Sequence, residues 1–109
     1  MTKLEELYQG LSELGLPVAY QEFKEEQKSP YIAYFVDTEE GYTADGESVL
    51  SVLSIEIHLI TSKSRNLTLE KAVADKLKEL RQGYQKDLDW DSRQKIHDTI
   101  YSTELVEGE

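Results

Sequence analysis

Cysteine does not occur anywhere in the chain, which excludes disulfides, thiolate metal sites and cysteine nucleophiles and fits a reducing compartment. Nor is there any apolar run approaching the roughly 18 residues that a membrane-crossing helix needs. The N-terminus has no basic segment leading into an apolar stretch, so the expectation is a soluble protein made in the cytoplasm, with no membrane partner. Positive charge is also scarce: Lys plus Arg number 12 against 22 Asp plus Glu, a formal net charge of -10. Such a balance repels phosphate, and no basic patch offsets it, since Lys24 and Lys28 are interleaved with Glu25 and Glu26. No specific nucleic-acid binding is expected.

Catalytic signatures are missing too. The sequence holds no G-x-S-x-G elbow, no phosphate-cradling glycine loop and no H-E-x-x-H pair. Carboxylates are so abundant that any two could be nominated as acid and base, which makes no pair informative. The reading is non-enzymatic, with no catalytic residues and no cofactor.

What is present is periodicity. At 109 residues the chain suits one compact domain, 1–109. Thr2 and Glu5 make a capping box ahead of Leu4, Leu7, Tyr8, Leu11 and Leu14, an apolar stripe at helical spacing that Gly15 and Pro17 end. Gly10 inside it costs about 1 kcal/mol relative to Ala. Two strands follow, 18–23 and 31–38, separated by the charged patch 22–28, with Ser29-Pro30 opening the second. "DTEEGYTADGES" reads as a protruding loop or a loosely paired hairpin arm. Residues 49–61 are the clearest strand, with Leu53, Ile55, Ile57 and Leu59 on one face and Ser54, Glu56 and His58 on the other. Leu50 and Val52 are out of phase, which predicts a bulge or bend near 51–53. Asn66 caps a second helix whose stripe is Leu69, Val73, Leu77 and Leu80, closed by Gly83. A strand alternates Tyr84, Leu88 and Trp90 against Gln85, Asp87, Asp89 and Asp91; a turn at 91–94 leads to a last strand, 96–106. The fold class is α+β: a mostly antiparallel sheet of four to five strands packed with two helices.

Two groups of residues have ligand-like spacing. Asp87, Asp89, Asp91 and Asp98 stand at positions 1, 3, 5 and 12 of a calcium loop. Ser92, however, takes the place of the turn glycine, and Asp98 is a methylene short of the usual bidentate Glu. Alternating aspartates are ordinarily the solvated face of a strand. Glu56 and His58 share a strand face and could join His97 around a transition metal; two histidines on half-exposed strands are ordinarily surface residues. Neither group is assigned a metal.

The aromatic residues point to contact. Tyr20, Tyr31, Tyr34 and Phe35 cluster on the early strands and suit a core, whereas Tyr42 lies in the polar stretch beside Gly41, where an exposed aromatic is good material for a partner. The protein-interface candidates are Glu22, Lys24 and Glu25 in segment 22–29, and Glu39, Tyr42, Asp45 and Glu47 in segment 37–49.

Taken together, "LGLPVAYQEF" (14–23), "SPYIAYF" (29–35), "YTADGES" (42–48), "IEIHLIT" (55–61) and "IYSTELVE" (100–107) resemble, in order and spacing over nearly the full length, the small minor structural proteins of the phage and prophage head–tail junction. These are the tail-terminator or tail-completion type. The resemblance implies a subunit that binds and performs no chemistry. Copies would form a homo-oligomeric ring, a hexamer on the tail, touching the tail tube protein and the head-completion or connector protein, with DNA passing through. It would be found in the host cytoplasm during assembly and then at the virion head–tail junction. An acidic lumen that does not retain phosphate suits that role, and ring contacts are heterologous and closed. The rival readings are a small acidic adaptor or inhibitor of a basic host protein, and a metal-dependent hydrolase.

Overall fold

A computed structural model describes residues 2–21, 28–44, 46–62 and 64–108. The elements run α1 (Lys3–Ser12), β1 (Val18–Tyr20), β2 (Tyr31–Ala44), β3 (Glu47–Ser62), α2 (Leu67–Glu79), β4 (Tyr84–Asp91) and β5 (Ile96–Gly108). The five strands form one sheet in the order β1-β2-β3-β5-β4. The α+β architecture, with two helices and a mostly antiparallel sheet, is the one the periodicity predicted.

The exception to antiparallel pairing is β1, which runs parallel to β2 with Val18 opposite Ile32 and Tyr20 opposite Tyr34. Gln21 N–H bonds the Tyr34 carbonyl at 2.7 Å and Ile32 N–H bonds the Pro17 carbonyl at 2.9 Å, extending the pairing at both ends. Ten residues, 21–30, separate the two strands, enough chain to return to the starting end instead of turning back as a hairpin. Of the strand expected over 18–23, β1 forms Val18–Tyr20, and positions 22 and 23 lie outside the described residues.

Segment 37–49 resolves the choice left open above: it is a paired hairpin arm. β2 and β3 pair from Tyr31 opposite Ile60 out to Ala44 opposite Glu47. β3 has 16 residues, roughly 50 Å of strand at about 3.3 Å per residue, in a molecule whose longest extent is 53 Å. The predicted irregularity exists but is misplaced. Asp37 is left out of the pairing between Val36 and Thr38, and a second shift falls between Tyr42 and Thr43, across from Ser48 and Leu50. The bulge at Asp37 swaps the faces of β2. Before it, the even-numbered Ile32 and Tyr34 are buried; after it, the even-numbered Glu40 and Tyr42 lie on the other side, opposite Val52 and Leu50.

Both helices cover one face. Leu7 and Leu11 of α1 and Val73 and Leu77 of α2 pack with Ile32, Tyr34, Leu53, Ile55, Ile57, Leu59, Tyr101 and Leu105 in a single core. The caps form as the sequence predicts: Thr2 Oγ1 accepts from Glu5 N–H at 3.1 Å and Asn66 Oδ1 from Leu69 N–H at 3.1 Å. Glu5 completes its half of the box through the Thr2 hydroxyl, 3.2 Å away, instead of the backbone amide. The Glu107 carboxylate, reaching from β5, accepts from the Lys3 and Leu4 amides at 2.7 and 3.2 Å, placing a negative charge at the positive end of α1. Gly10 has a packing reason. A Cβ there would meet Leu80 Cδ1 at 3.0 Å, so its absence lets the helices approach. The end of α2 differs from expectation, because the left-handed position falls on Arg81 (φ 60°), two residues before Gly83. Gln82 N–H then bonds the Leu77 carbonyl at 2.8 Å and Arg81 N–H the Lys78 carbonyl at 3.0 Å, a Schellman closure built without glycine.

Candidate functional site

Beyond the bulge, α1 still lies over the inner face as far as Glu107, opposite Ser51, while among the described residues no helix covers the outer face. On that face Tyr42 and Leu50 stand opposite each other, and Val52 stands between Glu40 and Val106 on its two neighbours. Tyr42 is 51% exposed and Val106 45% exposed, while Leu50 and Val52 are half-buried. The Tyr42 hydroxyl donates to Glu40 Oε2 at 3.2 Å. The result is an apolar strip on a paired, twisted ribbon, bordered by Glu40 and Glu104.

Of the interface residues expected from the sequence, Glu39 and Tyr42 are exposed on β2, but on opposite faces of the arm, since Glu39 pairs with the core-facing Leu53. Glu47 begins β3, paired with Ala44. Glu22, Lys24, Glu25 and Asp45 lie outside the described residues. Sequence reasoning missed Leu50, Val52 and Val106 as members of the strip. The signal was there: Leu50 and Val52 broke the alternation of β3 because the arm's apolar side is its outer one.

The face of the sheet body opposite the helices has no helix over it among the described residues, although Ile60 on that face is buried. His58 is at its centre, with Nδ1 2.8 Å from Asp98 Oδ2 and Nε2 3.2 Å from Glu56 Oε1, and its ring stacks on Phe35 at 5.4 Å between centroids. Two carboxylates on two ring nitrogens call for two N–H donors, which only the imidazolium has. The His58 pKa is accordingly raised, above all by the hydrogen bond to Asp98, against burial, which lowers it, and with the Asp98 and Glu56 charges adding to the rise.

This arrangement settles the geometry of both ligand-like groups. His97 pairs with Thr61, a buried position on the helix side, and its ring packs on Trp90 at 4.4 Å. His58 is on the opposite face, so the two histidines do not converge. The aspartates disperse as well. Asp91 Oδ1 accepts from the Arg93 and Gln94 amides, at 2.9 and 3.2 Å, and closes the β4–β5 turn; Asp89 Oδ1 takes the Trp90 amide at 3.0 Å; and Asp98 belongs to His58. Among the described residues no group of three or more His, Asp or Glu is placed to hold a metal ion.

One polar cluster was not foreseen. Glu70 on α2, 2% exposed, receives Arg65 Nη2 at 2.7 Å and Arg65 Nε at 3.1 Å, and Lys86 Nζ lies 2.8 Å from it. The buried Tyr101 hydroxyl donates to the Glu70 backbone carbonyl at 2.7 Å. Hydrogen bonding to Arg65, then to Lys86, holds the Glu70 carboxyl below the usual range despite burial, and burial pushes the Tyr101 phenol up. The cluster ties α2 to β4 and β5. With no buried side-chain polar atom left without a partner among the described residues, it is a structural clasp. Among the described residues, no helix is long and apolar enough to cross a membrane.

No family model matches the chain, and no curated protein matches it in sequence.

Proposed function

We propose that this chain is a non-enzymatic, ring-forming structural subunit at the head–tail junction of a phage or prophage particle, ending the tail tube or joining it to the head. One observation carries the reading: the outer face of the hairpin arm and the adjoining end of β5 bear an apolar strip, Tyr42, Leu50, Val52 and Val106, exposed at Tyr42 and Val106, on paired sheet. Apolar side chains held out on ordered sheet, with carboxylates at the margin, form the pattern of a protein contact. An arm that lies on the body of the next copy makes a heterologous contact, and repetition of it closes a ring. The partners in this reading are further copies of the chain, the tail tube protein and the head connector. The net charge of -10 leaves DNA free to pass. The subunit is made in the host cytoplasm and ends in the virion. It acts by binding, and no chemistry is assigned to it.

The test is deletion of the gene from its phage or prophage, followed by negative-stain imaging of the induced lysate. Filled heads apart from tails of excessive or irregular length establish termination; heads apart from tails of normal length establish joining. Normal infectious particles overturn the proposal. Tyr42→Asp combined with Val106→Asp, both at exposed positions, leaves the fold intact and reproduces the deletion if the arm makes the contact.

A further inference from the structure

The far side of the sheet, opposite β1, presents a different surface. β4 is the last strand there, so every second residue along Tyr84–Asp91 turns its backbone N–H and C=O away from β5 with no strand to meet them. All its residues are exposed except the half-buried Asp91. Proteins blunt such edges by keeping them short, by proline, by a bulge, by a covering loop or by charged side chains, and of these β4 shows the charges, in Lys86, Asp87, Asp89 and Asp91. β4 has eight residues without proline, paired with β5 in unbroken register from Tyr84 opposite Thr103 to Asp91 opposite Ile96.

Its two faces have opposite character. Leu88 and Trp90 point to the helix side but reach beyond the cover of α2, 54% and 46% exposed, while Lys86 on that side turns its ammonium to Glu70. Asp87 and Asp89 point to the other side, where Asp98 stands opposite Asp89. That pattern disfavours a second β4. Antiparallel registers that keep the faces matched over five or more residues set like charges opposite, Lys86 to Lys86 or aspartate to aspartate, and the intervening registers, though they can set Lys86 opposite an aspartate, put an aspartate opposite Tyr84, Leu88 or Trp90. The arm's open edge is disfavoured as well, because Asp37, Glu39 and Glu40 bring the same sign. The edge therefore disfavours both of these strands of the chain and complements an extended segment of opposite charge.

We propose that β4 accepts, as a sixth strand, an extended basic segment of another protein in which Lys or Arg alternates with apolar residues. The cationic side chains lie along Asp87 and Asp89, and the apolar ones on Leu88 and Trp90. Backbone hydrogen bonds hold the strand and alternation sets its face. The inference does not depend on the junction reading, and each test can fail alone.

Trp90 is the single tryptophan of the chain, so its emission reports on this edge directly. A capped eight-residue peptide alternating Lys and Val is titrated into the full-length protein. A saturable one-to-one blue shift is expected, with amide shifts in NMR confined to β4 and its margins. Asp87→Asn with Asp89→Asn, on exposed positions, weakens binding at least tenfold, and so does N-methylation of alternate peptide amides. No shift overturns the proposal, as does equal binding of the N-methylated peptide or of a Glu-Val peptide. Amide shifts on the arm instead of β4, or a concentration-dependent dimer abolished by Trp90→Ala, overturn it too.

Discussion

Along β3, Leu53, Ile55, Ile57 and Leu59 meet Leu7, Leu11, Val73 and Leu77 under the helices. One residue over, on the other face of the same strand, Glu56 and His58 have no helix above them and are still only half-exposed. The covered face is held by volume: apolar side chains of two layers fill each other's gaps, and the stabilisation scales with the area removed from water. The other face is held at its centre by charge and stacking, with His58 bridging Glu56 and Asp98 against the Phe35 ring, and beside them by the buried Ile60. The covered face should therefore respond to lost methylenes and be indifferent to pH near neutrality, whereas the His58 cluster should respond to pH.

The largest effect tests the first half of that contrast. Leu77 is fully buried between α2 and the sheet, and Leu77→Ala is expected to cost about 3 kcal/mol in urea unfolding, from lost transfer energy plus the cavity left behind. A loss below about 1 kcal/mol would mean that the helix layer is not what holds the sheet. The same variant should leave the pH dependence of stability between 6 and 8 unchanged.

Glu70 sharpens the contrast because it puts charge on the covered face. Removing a buried carboxylate strands its partners, but Arg65 and Lys86 keep roughly a third of their side chains in solvent and recover some hydration. Glu70→Ala should therefore cost about 2 kcal/mol, below the usual figure for a fully buried pair. Its folded-state pKa is lowered from 4.5 by Arg65 and then Lys86. The contribution is thus complete above pH 4.5 and is lost as pH falls through the lowered value. In unfolding experiments the gap between native protein and variant should narrow on acidification below 4.5. A gap that stays constant would show that the carboxylate is not ionised in the fold.

The same contrast explains what could be read from the sequence. The covered face was legible because burial imposes a period: 2 for Leu53, Ile55, Ile57 and Leu59, and 3.6 for the stripes containing Leu7 and Leu11 or Val73 and Leu77. Caps at Thr2 and Asn66 were legible because they satisfy local amides. The parallel pairing of β1 was not, since it depends on how residues 21–30 return and no local pattern encodes that. Asp37 as the bulge was hidden for a similar reason: the phase break appeared at Leu50 and Val52, across the hairpin from where the chain absorbs it. Glu70 was discoverable, lying three residues before Val73 and seven before Leu77 and so on their face of α2. The partnership of His58 with Asp98 joins residues 40 apart and needed the register of β3 against β5. The arm strip was half legible, in Tyr42, and completed only by Val106 from a third strand.

On the His58 face the sign of the pH effect reverses. The His58 pKa is raised above 6.5 by Asp98 and Glu56. Its stabilisation is fully present below pH 6.5 and is lost as pH rises through the raised value. The native protein should thus lose stability on going from pH 6 to pH 8 by an amount smaller than the Leu77→Ala loss. Asp98→Asn, which removes the dominant acceptor, should flatten that slope. A slope that survives in Asp98→Asn, or stability that increases over this range, would show that the carboxylates do not hold the imidazolium.

The smallest effect lies at the border of the two faces, where α2 ends and the chain turns towards β4. Arg81 adopts φ 60°, a conformation that crowds its Cβ against the backbone and costs a non-glycine residue about 1 kcal/mol or more. The strain is tolerated because the turn satisfies the Leu77 and Lys78 carbonyls and starts β4 in the register that sets Lys86 beside Glu70. Arg81→Gly removes the crowding and also enlarges the entropy of the unfolded chain, which offsets part of the gain. The expected net is a stabilisation of about 0.5 kcal/mol, seen as a small rise in the urea midpoint at unchanged slope. Arg81→Ala keeps the Cβ and should show no such rise. If both variants rise equally, the gain comes from removing the side-chain charge, and the left-handed turn at Arg81 is not under strain.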